Sequence, residues 1–511
     1  MNKLLIKTGL FFMAGTFLLA SCNKFDQINT NPNATVTANA SLLATDIILQ
    51  NLQYQGRDAK AYLSDNAASQ YIAYGNESMI SAQYGDLGST DFTPMTLIPN
   101  ANSMLSYAAT TGTQMDNSYK GLAKFSEAFM FYYLTMEVGD IPFSQVGEGG
   151  SGNIRPAYDL QEQVFKGILN DLQEADEDFA NGTQFAGDPS PYNGNPDKWR
   201  RATNSFALKV LISLSNKVND TALNVESRFA AIVNEGELLQ PATGFLGLEY
   251  STVDPHPLSG TNDLFTSRTA ISTLVMGNLK ALNDRRLFYF ADPAPSKITA
   301  GLSPSDTAAY VGANVTDSYD DVTNNLLNNV YSLLNSRYLA VQAGDPRIMV
   351  SYGEQQLILA EARILGWITT GTAQDYYQTG VTAILQRYLS VDASYVHGMP
   401  ITQSYINNYF TGDAAFAPDP TDELHQIWIQ RYLSEFMQDP ISAFFMERRT
   451  GYPVFPVNPA TSLNITDKNA VPVRWLYPGS ELNYNKQNLI TALNRQYGGV
   501  DDMNAKMWLL K

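Results

Sequence analysis

Apolar positions recur with a 3.6-residue period in several stretches of the chain, and these stretches define its expected helices. Over 121–137, Leu122, Phe125, Phe129, Tyr132, Tyr133 and Met136 share one face. Gly139-Asp140-Ile141-Pro142 then stops the helix, with a glycine and a proline where they usually stand. Over 160–180, Val164, Ile168, Ala175 and Phe179 form a stripe that ends at Asn181-Gly182. The stretch 205–218 aligns Ala207, Leu211, Leu214 and Val218. It is apolar nearly all round, which predicts a helix deep in the core. The clearest pair is 354–366 with 372–389. Leu357, Ala360, Ile364 and Trp367 stripe the first, while Tyr377, Val381, Ile384 and Tyr388 stripe the second. The short connection Thr370-Gly371-Thr372 makes them antiparallel neighbours. Ala360, Ala362 and Gly380 let the axes approach as tetratricopeptide-type pairs do. No strict repeat of about 34 residues persists, so the pairs are separated by insertions. A last helix is expected over 422–437. The regions 55–115, 240–350 and 390–420 are rich in Gly, Pro, Asn and Tyr and read as long loops. Loops of that length inside a compact domain are usually functional. The expected fold is mainly all-α: tetratricopeptide-like helix pairs form a scaffold, separated by long irregular insertions.

The beginning of the chain follows a different pattern. Lys3 and Lys7 precede an apolar run from Leu10 to Ala20, and Leu19-Ala20-Ser21-Cys22 closes it. A basic start, a brief apolar stretch and small residues mark a secretory signal. The run falls short of the roughly 20 residues that span a bilayer. Its last four residues resemble the lipobox of bacterial lipoproteins, in which the cysteine is acylated and becomes the new amino terminus. Cys22 is the sole cysteine of 511 residues, so no disulfide competes for its thiol. Asn23 to Ala40, with Asn31-Pro32-Asn33, reads as a tether. The expected organisation is a signal peptide over 1–21, a tether over 22–40 and one domain over 41–511.

Charge narrows the choice of partner. The formal net charge is -17, and loss of Lys3 and Lys7 makes it two units more negative. An acidic chain argues against nucleic acid, whose phosphates call for clustered Lys and Arg. Charged residues are only 16% of the chain, so the surface is polar largely through Asn, Ser, Thr, Gln and Tyr, which suits neutral polar ligands. A sugar ring has an apolar face that a flat aromatic covers, and a rim of hydroxyls that amides and carboxylates bond. Two segments offer that mixture. In 71–92, Tyr71, Tyr74 and Tyr84 lie among Asn76, Glu77, Gln83, Asp86 and Asp91, close to Phe92. In 262–319, Asn262, Phe265, Arg268, Asp284, Arg286, Phe288, Tyr289, Tyr310 and Tyr319 recur. The candidate ligand contacts are Tyr71, Tyr74, Asn76, Tyr84, Asp86, Phe92, Asn262, Phe265, Arg268, Tyr289 and Tyr310. The competing reading is that these tyrosines pad irregular loops against the scaffold. All five tryptophans fall outside the insertions, so a stacking platform there has to use Tyr or Phe.

Catalysis finds little support. His256, His397 and His425 are far apart and lack metal-ligand spacing. Nucleophile motifs of the Gly-x-Ser-x-Gly type and phosphate-cradling glycine loops are missing. With 50 acids, no two can be singled out as a glycosidase pair. The run Asp171, Glu174, Asp176, Glu177, Asp178 reads as a solvated helix face. No cofactor, metal or catalytic residue is expected.

Several motifs together resemble the SusD/RagB family of Bacteroidetes outer-membrane lipoproteins. They are Gly139-Asp140-Ile141-Pro142-Phe143, with Phe143 for the usual Tyr; Trp199 with Ala202-Thr203-Asn204-Ser205; and Glu354 with Ala360-Glu361-Ala362. Gln430, Glu447-Arg448-Arg449-Thr450-Gly451-Tyr452-Pro453, Pro472 with Arg474, Tyr477-Pro478 and Glu481 complete the ordered set. The resemblance implies a tetratricopeptide scaffold whose insertions form the ligand face, with both segments above near that face. It implies a surface lipoprotein that captures oligosaccharide or another nutrient for a SusC-like TonB-dependent transporter, attached to the outer membrane by lipid at Cys22. Peptide-binding RagB-like members leave the ligand class open, a glycan hydrolase is the enzyme-class alternative, and a scaffold that binds only proteins is a third. Arg448-Arg449, at a helix end that Gly451 and Pro453 close, reads as scaffold rather than a ligand clamp.

Overall fold

Capping residues set the helix boundaries in a computed structural model that describes residues 39–53, 59–75, 78–110, 112–260 and 268–511. Helices α1 (Ala40–Leu52), α2 (Ala59–Ala68) and α3 (Leu97–Ala108) lead into the long α4 (Met115–Val138), with Asp116 in its first turn. Next come α5 (Gln161–Ala180), α6 (Pro196–Ser213) and α7 (Val225–Glu235). Asn195 caps α6 by accepting from the Lys198 N–H, and Pro196 occupies the first turn, where no donor is needed. Two short helices, α8 (Thr273–Ala281) and α9 (Tyr319–Leu327), interrupt the irregular middle of the chain. Then α10 (Tyr352–Ile364) and α11 (Ala373–Gln386) form the antiparallel pair, capped by Ser351 and Thr372. Helices α12 (Pro420–Glu435), α13 (Pro440–Thr450) and α14 (Lys486–Tyr497) close the frame.

Neighbours in sequence are neighbours in space: α4 packs on α5, α5 on α6, α6 on α7, and α10 on α11. Helix α10 also packs on α6 and α12, which joins the pairs into one core. Residues Ala40–Lys511 make one unit, built mainly of helices in tetratricopeptide-like pairs. Short antiparallel strand pairs trim it: β1 (Ile72–Tyr74) with β5 (Thr269–Ile271), β2 (Ile141–Pro142) with β3 (Tyr158–Asp159), and β4 (Phe245–Leu248) with β6 (Arg347–Ser351). Among the described residues no helix is long and apolar enough to cross a membrane.

Three readings of the sequence need correction. Helices α1 and α2 are weakly patterned by hydrophobicity, and α2 and the amphipathic α3 lie in a region read as loop. The helix over α12 is not the last, because α13 and α14 follow it. The acid run on α5 is not uniformly solvated: Asp176 is buried, accepting from Arg200 Nε at 2.8 Å and Asn204 Nδ2 at 2.7 Å. Asp171 faces Lys124 of α4 at 2.8 Å.

The ordered motifs fasten this frame together. Gly139 has φ 94°, and a Cβ there would lie 2.4 Å from Gln496 Oε1 and 2.5 Å from Tyr497 Oη, so only glycine fits. Asp140 accepts from the Gln161 N–H at 2.8 Å and from Arg495 Nε at 2.8 Å, while Tyr477 Oη donates to its carbonyl at 2.7 Å. The stop after α4 is thereby tied to α5 and to the C-terminal motif. Trp199 Nε1 donates to Asp188 Oδ2 at 2.8 Å, and Ser205 Oγ to Gln355 Oε1 at 2.6 Å. Arg448 donates to the carbonyls of Val473 and Met136, and Arg449 to Glu361 at 2.6 Å. Both arginines are scaffold.

Candidate functional site

The two segments singled out for their aromatic and amide content meet. Strand β1 pairs with β5 in the register Ile72↔Ile271, Ala73↔Ala270, Tyr74↔Thr269. The Gly75 N–H donates to the Arg268 carbonyl at 3.0 Å, and Gln83 Nε2 to the Val315 carbonyl at 3.3 Å. A third segment, 456–476, which sequence reasoning did not select, fastens both. The Leu463 N–H donates to the Tyr84 carbonyl at 2.7 Å, and Thr461 Oγ1 and Asn458 Nδ2 donate to the Thr316 carbonyl at 2.9 and 3.1 Å. The Thr90 N–H reaches the Leu476 carbonyl at 2.9 Å. The signal in this third segment was its Pro, Asn, Ser and Thr content, which marks a loop but not its neighbours.

Between the three lies a cleft of about 40 Å³, lined by Gln83, Tyr84, Thr316, Asn458 and Ser462 among others. Such a space holds a few water molecules, each needing about 10–15 Å³ on this measure. It cannot admit a sugar ring, so a ligand at this junction lies on the face and not inside it.

The stacking role expected of five tyrosines has no exposed ring to act through. Tyr71 and Tyr74 flank or form β1, which is buried on both sides. The Tyr71 ring stacks on Tyr432 at 4.3 Å between centroids, and its hydroxyl donates to the Tyr432 carbonyl. The Tyr74 N–H donates to Gln83 Oε1 at 2.8 Å. Tyr84 is 7% exposed, and its buried hydroxyl has no hydrogen-bond partner among the described residues. Burial, with Tyr319 and Asp317 nearby, pushes its pKa up to about 12. Tyr289 Oη accepts from the Ile401 N–H at 2.7 Å, and Tyr310 Oη donates to the Pro304 carbonyl at 2.8 Å. Tyr310 also packs edge-on to Phe288. What the five share is burial: each ring is spent on sealing its segment against the scaffold, whatever its hydroxyl bonds. Asp284 and Arg286, from the same sequence stretch, are an internal ion pair at 2.6 Å that Gln430 and Tyr409 complete.

Three candidates retain surface. Asp86 is half-buried and accepts from the Gly88 N–H at 3.1 Å. Phe92 is half-buried, 6.3 Å from Tyr158 and 6.4 Å from Tyr477. Arg268 is half-buried immediately before β5. Cys22, Asn76, Asn262 and Phe265 lie outside the described residues.

The SusD-like family, described as starch-binding and associating with the outer membrane, matches residues 32–478, and the chain belongs to that family. Among solved structures it is similar to a SusD homologue from Bacteroides fragilis at 36% identity and a TM-score of 0.87, over 93% of this chain and 100% of that one. A second SusD homologue from the same organism is 30% identical, with a TM-score of 0.80 over 93% of this chain and 100% of that one. A chitin-binding SusD homologue from Flavobacterium johnsoniae, 18% identical with a TM-score of 0.67 over 92% of this chain and 98% of that one, shares the fold. No curated protein matches the sequence. Fold and family thus define a nutrient-binding protein of the outer-membrane SusD-like class.

Proposed function

We propose that the mature protein is a lipoprotein, acylated at Cys22 and facing the exterior, that binds oligosaccharide and delivers it to a SusC-like TonB-dependent transporter without altering it. The observation that carries the reading is the convergence of 71–92 and 268–319 on one face of a rigid helical frame in a starch-binding family. The ligand lies across that face against Asp86, Phe92 and Arg268, and the transporter supplies the opposite wall. Two or more acyl chains at Cys22 give stable attachment, where a single chain binds marginally. No covalent bond is made or broken; capture rests on contact with the Phe92 ring, hydrogen bonds to Asp86 and Arg268, and release into the partner.

Calorimetric titration of the purified chain with a panel of neutral glycans and short peptides tests the ligand class. Binding to at least one glycan supports the proposal, and binding to peptides alone replaces it with a peptide-binding role. Metabolic labelling with palmitate tests the anchor: label that Cys22→Ala abolishes supports it, and an unlabelled wild-type chain contradicts it.

A further inference from the structure

A groove of about 780 Å³ opens beside the antiparallel helix pair, where the start of α10 meets the end of α11. It is large enough for one or two sugar rings, unlike the cleft described above. Phe245, Tyr352 and Phe410 line it and are each half-buried, with ring surface left open. Gln378 and Gln386 project amides from α11. Arg387, the residue that closes α11, is the one charged residue among the described residues that line it.

The environment of Arg387 is unusual. The chain carries 50 acids against 33 basic residues, yet among the described residues this guanidinium has no ion pair and no hydrogen bond. Several deep arginines are matched to acids, Arg286 to Asp284, Arg337 to Asp345 and Arg449 to Glu361, while Arg448 is bonded to carbonyls. The carboxylates in its neighbourhood are otherwise engaged. Glu354 lies 3.3 Å from Lys209 and 3.4 Å from Arg431. Burial, with Glu354 nearby, pushes the Glu435 carboxyl well above the usual range, so it is a poor counter-ion. Burial also pulls the Arg387 pKa down, against the pull of Tyr388, Glu435 and Glu354. Its nitrogens are not among those sealed from solvent without a partner, so a ligand can reach them. Arg387 is half-buried, so its guanidinium faces the groove with no protein anion in contact and is free to take one from a ligand.

We infer that this groove is a second saccharide site, selective for sugars that carry a carboxylate, in which Arg387 takes the carboxylate as a bidentate fork. The aromatic walls cover ring faces and the two glutamines reach hydroxyls. A planar guanidinium matches carboxylate geometry in a way that an ammonium does not. The groove is separate from the 71–92 face; the inference shares with the proposed function only the premise that the protein takes up saccharide.

The probes are tetragalacturonate and its methyl ester, titrated by calorimetry into the full mature chain and into Arg387→Gln and Arg387→Lys. A hydrogen-bonded charge pair corresponds to roughly 10- to 100-fold in affinity. Tetragalacturonate is expected to bind at least ~10-fold more tightly than the ester. Arg387→Gln abolishes that preference with the melting temperature unchanged, since the side chain bonds nothing in the protein. Arg387→Lys keeps the charge and loses most of the preference. Equal binding of acid and ester, or a preference that survives Arg387→Gln, overturns the inference. So does a peptide with a free C-terminal carboxylate that binds through Arg387 while tetragalacturonate does not. Neutral-glycan binding that Arg268→Ala abolishes and Arg387→Gln leaves intact separates this site from the proposed face: failure of one then leaves the other standing.

Discussion

The ammonium of Lys209 lies 2.9 Å from a carboxylate oxygen of Asp439, and neither side chain reaches solvent. Lys209 also faces Glu354, which shares Arg431 with Glu361, and Glu361 in turn holds Arg449. Four helices, α6, α10, α12 and α13, are joined by this buried chain of alternating charge. Tyr133 of α4 adds a hydroxyl to Asp439 at 2.7 Å. A network of this kind has little net worth against an apolar core of the same shape, but the loss of one member strands the others. It fixes which helices meet, and through them where the insertions emerge.

Lys209→Met therefore strands Asp439 without its cation and leaves Glu354 with Arg431 alone. The expected loss is about 3–5 kcal/mol in urea unfolding. A loss under about 1 kcal/mol contradicts the role given to this network.

His256 makes the fold sensitive to acid. Its side chain is buried, with Tyr250 edge-on at 4.9 Å and Nδ1 accepting from the Leu258 N–H. Burial, reinforced by Arg337 and Arg347 against Asp345, holds its pKa down at about 4. The unfolded chain takes up the proton near pH 6.5, so the stability this group contributes is present above that value and is lost as pH falls toward about 4. The amount is about 3 kcal/mol. Glu127 acts with the opposite sign: burial, with Asp171 nearby, raises it to about 7, and stability falls as pH rises from about 4.5 to that value. The difference between wild type and His256→Asn isolates the histidine. The variant is expected to show a flatter loss of stability between pH 6.5 and 4, followed by denaturant midpoints.

Gly139→Ala tests the joint after α4. The added methyl would press on Gln496 Oε1, which accepts from the Asp140 N–H at 2.7 Å, and on Tyr497 Oη, which donates to the Val138 carbonyl at 2.7 Å. With φ at 94°, the substitution is expected to cost about 1–3 kcal/mol by thermal or urea unfolding.

Buried and exposed candidates should respond differently. Tyr71→Phe removes the bond to the Tyr432 carbonyl and is expected to lower stability by about 1 kcal/mol, with glycan affinity unchanged. Phe92→Ala and Arg268→Ala are expected to weaken glycan binding, with a smaller effect on melting temperature. Parallel melting and titration curves check both halves.

The frame was legible in the sequence because amphipathic stripes as long as those of α4, α5, α10 and α11 impose one burial pattern. The ordered motifs were legible for the same reason that they matter: Gly139, Asp140, Trp199, Glu361 and Arg449 are each fixed by a specific partner. Helices α1 and α2 escaped notice because tertiary contact, and not a strong stripe, stabilises them, whereas the stripe of α3 (Leu97, Ile98, Ala101, Met104, Ala108) was masked by the polar composition around it. The candidate face was legible at the level of segments, since 71–92 and 268–319 do meet, but not at the level of rings. Composition cannot distinguish a tyrosine that presents its face from one that seals a loop. Tyr71, Tyr84, Tyr289 and Tyr310 all proved to be of the second kind. Arg387 carried no signal in sequence, because its isolation depends on which acids the fold assigns to other cations.

The most direct test of the central claim follows one sample in two ways: calorimetric titration of the mature chain with a glycan panel, and chromatography of the same glycans after prolonged incubation. Saturable binding to at least one glycan, with every chain length unchanged, is the predicted result. Shortened chains, or no binding anywhere on the panel, would contradict it.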